Sequence, residues 1–107
     1  MNYPFLASCD EALYNHLSEE LAQQADEIVR PISHFFDAQG LPCPMPLLKA
    51  KVSLRLVASG QSLYLLASDQ NSQTDIIAFC KKNELMAHSW VSQWAGKSCH
   101  HFIINKP

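Results

Sequence analysis

Cys43 is the residue whose setting most narrows the chemistry of this chain, because it sits in the run Leu41-Pro42-Cys43-Pro44-Met45-Pro46. Three prolines at alternate positions fix the local backbone, so holding one sulfur in place costs little conformational entropy. They also remove amide donors, leaving a poor oxyanion hole, and no Cys-His pair follows from the order of residues. Acyl transfer is therefore a poor fit. The chemistry that fits is exchange at sulfur, in which a thiolate attacks a persulfide, takes its terminal sulfur and presents it to a second nucleophile.

The elements on either side must position that sulfur. Pro44 suits the first position of a helix, which makes Cys43 the N-cap, and a residue before proline is kept out of the α region as a cap must be. A thiolate there faces the helix dipole, worth about 0.3–1 kcal/mol, and lies within reach of the Met45 amide. Met45 itself precedes a proline, so a helix starting at Pro46, with Cys43 just outside its mouth, is the alternative. Leu47 to Val57 has helical composition, with Leu47, Ala50 and Leu54 on one side and Lys51 and Arg55 on another, and Ser59-Gly60 closes it.

Ile32 to Asp37 reads as a strand closed by an Ala-Gln-Gly-Leu turn, and Leu63 to Ala67 as a fully buried strand. Ser72 and Asp75 have cap spacing ahead of a helix containing Ile76, Ile77, Phe79 and Cys80. Leu85 to Trp94 and Cys99 to Ile104 read as strands joined at Ala95-Gly96-Lys97. Ser8 and Glu11 have the spacing of a capping box, and Leu13, Leu17, Leu21, Ala25 and Ile28 follow at helical intervals, predicting one amphipathic helix from Ser8 to Val29 that Pro31 ends. The expected fold is a two-layer α/β sandwich in the order β-α-β-α-β-β: a four-stranded mixed sheet with two helices on one face, plus the N-terminal helix. That helix has three possible places: over the second face, at an edge, or on a partner. The expected division is an acidic extension over 1–30 and a domain over 31–107.

At 107 residues the chain has room for one modest domain. Its net charge of −2 is uneven: residues 1–30 carry six acids against Arg30, while the remainder carries seven bases against four acids. The acidic total argues against tight non-specific binding to nucleic acid. The four cysteines, at 9, 43, 80 and 99, form no close pair, and no signal segment or long apolar run is present, which points to a reduced cytoplasmic setting without a membrane span. Cys80 reads as core and Cys9 as inert. Strand alternation lets only Cys99 and His101 of Cys99-His100-His101 share a face, too few ligands for a metal. His16, His34 and His88 read as isolated structural histidines, and Trp90 and Trp94 as packing on one side of a strand. No cofactor and no metal are expected.

The stretch from Asp37 to Ala50 closely resembles the Cys-Pro-x-Pro signature of the TusA family, also called SirA-like, and the resemblance extends from about Ile32 to Asn105. It implies two helices on a four-stranded sheet and a relay of sulfane sulfur as a persulfide. It makes Cys43 the sulfur-carrying residue, Pro44 and Pro46 the motif prolines, and Gly40-Leu41 the turn before them, with Pro42 and Met45 completing the loop. Asp69, Thr74-Asp75-Ile76 and Phe79-Cys80 fall where the family has an acidic turn and a Phe-Cys helix. The implied partners are a cysteine desulfurase-like donor and a downstream acceptor protein, with Lys49, Lys51 and Arg55 as candidate docking residues. Met45 replaces the Glu typical of the tRNA-thiolation branch, and the N-terminal helix is additional. Direct tRNA binding is therefore not expected. The competing expectation is a regulatory or protein-interaction domain in which Cys43 is dispensable.

Overall fold

The computed structural model describes residues 3–7, 9–42 and 44–107. After a 3-10 turn at Pro4–Leu6, the elements are α1 (Glu11–Ala22), α2 (Asp26–Val29), β1 (Ile32–Asp37), α3 (Met45–Leu54), β2 (Ser62–Ala67), α4 (Gln70–Lys82), β3 (Met86–Trp94) and β4 (Lys97–Asn105). The strands form one mixed sheet in the order β1-β2-β4-β3, with β1 parallel to β2 and the other two pairings antiparallel. The expected four-stranded sheet with two helices on one face, plus an N-terminal helix, is what the chain adopts.

Alternation along the two central strands assigns each residue to a face. Leu63, Leu65 and Ala67 of β2, with Phe102 and Ile104 of β4, pack under α3 and α4 against Ala50, Leu54, Ile76 and Cys80. Tyr64 and Leu66, with Cys99 and Ile103, point the other way and meet Leu13, Leu17 and Leu21 of α1. All six residues of β2 are buried, as its unbroken apolar run requires when both faces are covered. Of the three placements open to the N-terminal helix, the chain uses the first: α1 lies over the second face. Tyr3, Leu6 and Val29 join the same cluster.

Several boundaries differ from the sequence expectation. The single helix over 8–29 is two helices: α1 tightens at Gln23 and Gln24, whose amides donate to Glu20 O and Leu21 O, and Ala25 is extended before α2 starts. The turn brings Val29 into the core beside Ile32. The cap expected at Ser8 lies outside the described residues; Asp10 caps α1, its carboxylate accepting the Leu13 amide at 2.8 Å. α4 begins earlier than its Ser72 signal, because Asp69 accepts the Asn71 amide at 3.0 Å and extends the helix by a turn, leaving the Ser72 hydroxyl buried inside it without a partner. α3 ends at Leu54 and runs out in tight i to i−3 turns through Val57. Ala95 and Gly96, at φ 53° and 77°, form a two-residue hairpin loop between β3 and β4.

Candidate functional site

The motif loop leaves the sheet at the end of β1. The Ala38 amide continues the ladder by donating to Leu66 O at 2.9 Å, and Ala38 is fully buried. The Asp37 carboxylate accepts the Gln39 amide at 3.0 Å, and the Leu41 amide closes a turn onto Ala38 O at 3.2 Å. Gly40 occupies the third position of that turn at φ 82°, a left-handed conformation that a side chain would strain. Its amide donates to Ser68 Oγ at 2.9 Å, fastening the loop to the end of β2. Leu41 packs on the α3/α4 core. The turn expected at Gly40-Leu41 is thus anchored on both sides, and it delivers the chain to Pro42.

Cys43 lies outside the described residues, so its place is approached from its neighbours. Pro42 and Pro44 are both exposed. The helix cap is Pro44 and not Cys43, at φ −98° and ψ 19°, with Met45 as the first helical residue and Pro46 in the first turn. Both placements read from sequence are therefore corrected, by one residue in opposite directions. Pro46 tolerates the first turn because its missing amide would have had no helical acceptor there. The Met45 amide, offered in the sequence reading to a thiolate, donates instead to Pro42 O at 2.8 Å. Pro44 and Pro46 have no N–H, so the Leu47 amide is the next donor that the first turn can offer an anion.

The docking candidates do not form one patch. At 100° per residue, Lys51 and Arg55 share a row on α3, while Lys49 lies on the far side of Leu48 and Val52. Lys51 Nζ sits 5.3 Å above the Phe79 ring, and Lys51 and Arg55 line a small groove with Phe79, Asn83 and Lys106. The sequence reading missed the ridge between the cations: Leu48, Val52 and Leu56 are 43%, 57% and 68% exposed. Their spacing of four was a readable signal, hidden by attention to the inward-facing Leu47, Ala50 and Leu54.

Cys9, Cys80 and Cys99 are free thiols. Burial pushes Cys80 up to about 11. Cys99 is pushed up to about 12 by burial and then by the Asp37 carboxylate, against a smaller opposing hydrogen bond from Ser92. Burial, with Asp37 and Asp10, also raises Cys9. All three are held away from the thiolate form that sulfur exchange needs. Among the described residues no three His, Cys, Asp or Glu side chains group to hold a metal.

His101 is fully buried under α1 between Tyr64 Oη at 2.7 Å and Ser92 Oγ at 2.7 Å, and Ser92 Oγ is 3.0 Å from His16 Nε2. Burial, then the nearby His16 and His100, lowers its pKa to about 3, so the 4.0 Å approach to Glu20 is not an ion pair near neutral pH. One consistent set of roles has Tyr64 O–H donating to Nδ1 and Nε2–H donating to Ser92. Trp90 stacks on His101 at 4.5 Å and Trp94 on His16 at 4.9 Å. The histidines and tryptophans on this face are structural, and they serve to hold α1.

Residues 34–106 match the family described as Sulfurtransferase TusA, 73 positions that take in the whole motif loop. The chain belongs to the TusA family. A sulfur carrier protein TusA from Allochromatium vinosum is 44% identical over 72 residues, covering 65% of this chain and 88% of that protein. A solved SirA-like protein from Desulfitobacterium hafniense covers 71% of this chain and 99% of its own at TM-score 0.57; at 17% identity the likeness is one of fold. TusA membership implies a sulfur-carrier role in a donor and acceptor system. The match begins inside β1, so α1 and α2 precede it. No helix among the described residues is long and apolar enough to cross a membrane.

Proposed function

We propose that Cys43 is the residue on which this TusA-family protein carries sulfur. Its thiolate attacks the terminal sulfur of a donor persulfide, forming the Cys43 persulfide and releasing the donor thiolate. A nucleophile on the acceptor then takes that sulfur and returns the Cys43 thiolate. The observation that carries the reading is the anchoring of the motif: a buried Ala38, the Gly40 amide on Ser68, and the Met45 amide on Pro42 O fix both arms of a loop whose prolines at 42 and 44 are exposed. Anchored arms with exposed prolines suit a loop whose cysteine must be reached by two proteins in turn.

The donor in this reading is a cysteine desulfurase-like protein of the cytoplasm, and the acceptor is a second protein. The Leu48-Val52-Leu56 ridge beside Lys51 and Arg55 supports docking of an acidic, partly apolar surface. Met45, in place of Glu, supports a pathway other than tRNA thiolation. Direct tRNA binding is not part of this reading.

Incubating the full chain with a cysteine desulfurase and cysteine, followed by intact mass spectrometry and peptide mapping, tests the assignment. An added mass of about 32 Da per sulfur at Cys43, absent in Cys43→Ser, is expected. No adduct on the native chain, with function that survives Cys43→Ser, would assign the protein instead to regulation or partner binding; loading that persists in Cys43→Ser would move the carrier role to another cysteine. Lys51→Glu with Arg55→Glu is expected to slow loading by about tenfold or more through weaker encounter, while low-salt conditions speed loading of the native protein.

A further inference from the structure

The two edges of the sheet are guarded unequally. At one edge β1 is six residues long, follows Pro31, shifts register between Ile32 and His34, ends on Asp37 and has the Pro4–Leu6 turn against it. Each of these features hinders the approach of another strand. At the other edge β3 runs for nine residues, from Met86 to Trp94, with no Pro, Gly, Asp, Glu, Lys or Arg, and it pairs with β4 without a register shift. Such an edge is a template for a further strand.

The hairpin fixes which backbone groups of β3 face outward. Trp94 and Lys97 flank its two-residue loop and exchange hydrogen bonds, so the even-numbered residues of β3 bond to β4. The amides and carbonyls of Ala87, Ser89, Val91 and Gln93 therefore point away from the sheet. These four positions are spaced symmetrically about Trp90. Apolar surface lies open along the same strand, with Met86 74% and Val91 46% exposed.

We propose that β3 is a docking edge for a second copy of this chain, whose own β3 adds antiparallel to it about a two-fold axis at Trp90. In that register Ala87 faces the partner's Gln93 and Ser89 faces the partner's Val91, so every outward amide and carbonyl is paired. A shift of two residues in either direction leaves one outward residue of each strand unpaired. The exposed Met86 meets the partner's Trp94 on the α1 face, and the two Val91 side chains become diagonal neighbours on the other. Association stops at two copies, because the joined sheet ends on the guarded β1 at both edges. Glu20 Oε1 is 2.8 Å from Trp90 Nε1, so the axis also brings two carboxylates toward each other; the pair is therefore weak, and salt strengthens it. Both motif loops leave from β1, at the far edges, and stay open to other proteins. The pairing uses no atom of Cys43 and is independent of whether that residue carries sulfur.

Sedimentation velocity on the full chain, over about a hundredfold range of concentration, tests the pairing. A reversible equilibrium between monomer and dimer is expected, shifted toward the dimer by salt. The exposed-site variants Val91→Lys and Met86→Lys, with far-UV circular dichroism as the check on folding, are each expected to weaken association about tenfold or more, while Val52→Lys on the α3 ridge leaves it unchanged. Amide hydrogen exchange followed by NMR is expected to slow with rising concentration at Ala87, Ser89, Val91 and Gln93, and not at the even-numbered residues between them. The proposal is overturned if the chain stays monomeric throughout, which would leave the edge to an extended segment of another protein, if Val52→Lys abolishes association and Val91→Lys does not, or if the alternating protection is absent.

Discussion

The two faces of the sheet are closed by different means. Under α3 and α4 the contact is almost wholly hydrocarbon, from Leu63, Leu65, Phe102 and Ile104 to Ala50, Leu54 and Ile76. Under α1 the leucines at 13, 17 and 21 share the work with directed polar contacts: Trp90 Nε1–H donates to Glu20 at 2.8 Å, His88 meets Gln24 at 2.7 Å, and His16 meets Ser92 at 3.0 Å. The first face is closed by helices inside the family match, the second by a helix that precedes it. Non-directional burial gives stability, while a polar set that must be fully paired gives a single docking register. The face bearing α1 is therefore the one that conditions of pH can loosen.

The largest effects test whether the faces are equal in the hydrophobic term. Leu17 on α1 and Leu65 on β2 are both fully buried. Each substitution to Ala is expected to cost about 2–5 kcal/mol, measured by urea unfolding. Because Leu17 shares one cluster with Tyr64 and Ile103, Leu17→Ala is expected to melt in a single transition. Two transitions, with helical signal lost in the first, would mean that residues 1–30 detach while 31–107 stays folded as the proposed separate domain.

Next in size is the acid response of the α1 face. His101, lowered to about 3 by burial, binds a proton in the unfolded chain at about pH 6.5 but not in the fold. Between those values the unfolded state holds more protons, so stability is fully present above about 6.5 and falls as the pH drops toward 3. By pH 4.5 the loss from this group is about 2–3 kcal/mol. His101→Phe is expected to flatten that part of the stability profile, although it lowers stability at neutral pH by removing the partner of the buried Tyr64 hydroxyl and one of the two histidine contacts of Ser92. An unchanged acid slope in the variant would remove His101 as its source.

What was legible in the sequence follows the same division. β2 announced itself because an unbroken run from Leu63 to Ala67 has no face to offer water, and the loop before Cys43 because Gly40 and the prolines leave little backbone choice. The break at Gln23–Ala25 carried no local signal; it is imposed by the need to bring Val29 beside Ile32, a tertiary requirement that propensity cannot register. The cap of α3 was misplaced because two X-Pro steps, at Cys43 and Met45, pull in opposite directions, and hydrogen bonding of the Met45 amide to Pro42 O decides between them. Trp90 and His101 were readable as sharing a side with Trp94 and Cys99, but their stacking and their bonds to α1 depend on where a separate helix lands.

The smallest effect separates a polar contact that orders α1 from a charge pair that merely decorates the surface. Glu20 accepts from the half-buried Trp90 indole, whereas the Arg30 and Asp26 pair, at 3.5 Å, has both side chains more than three-quarters exposed. Glu20→Ala leaves the indole N–H without its acceptor and is expected to cost about 1–2 kcal/mol, with a change in tryptophan fluorescence as water reaches the ring. Arg30→Ala is expected to fall within about 0.5 kcal/mol of the native protein, because solvent and salt already screen that pair. If both variants unfold at the native urea midpoint, α1 is held by its leucines alone, and the polar contacts on its face follow from docking without directing it.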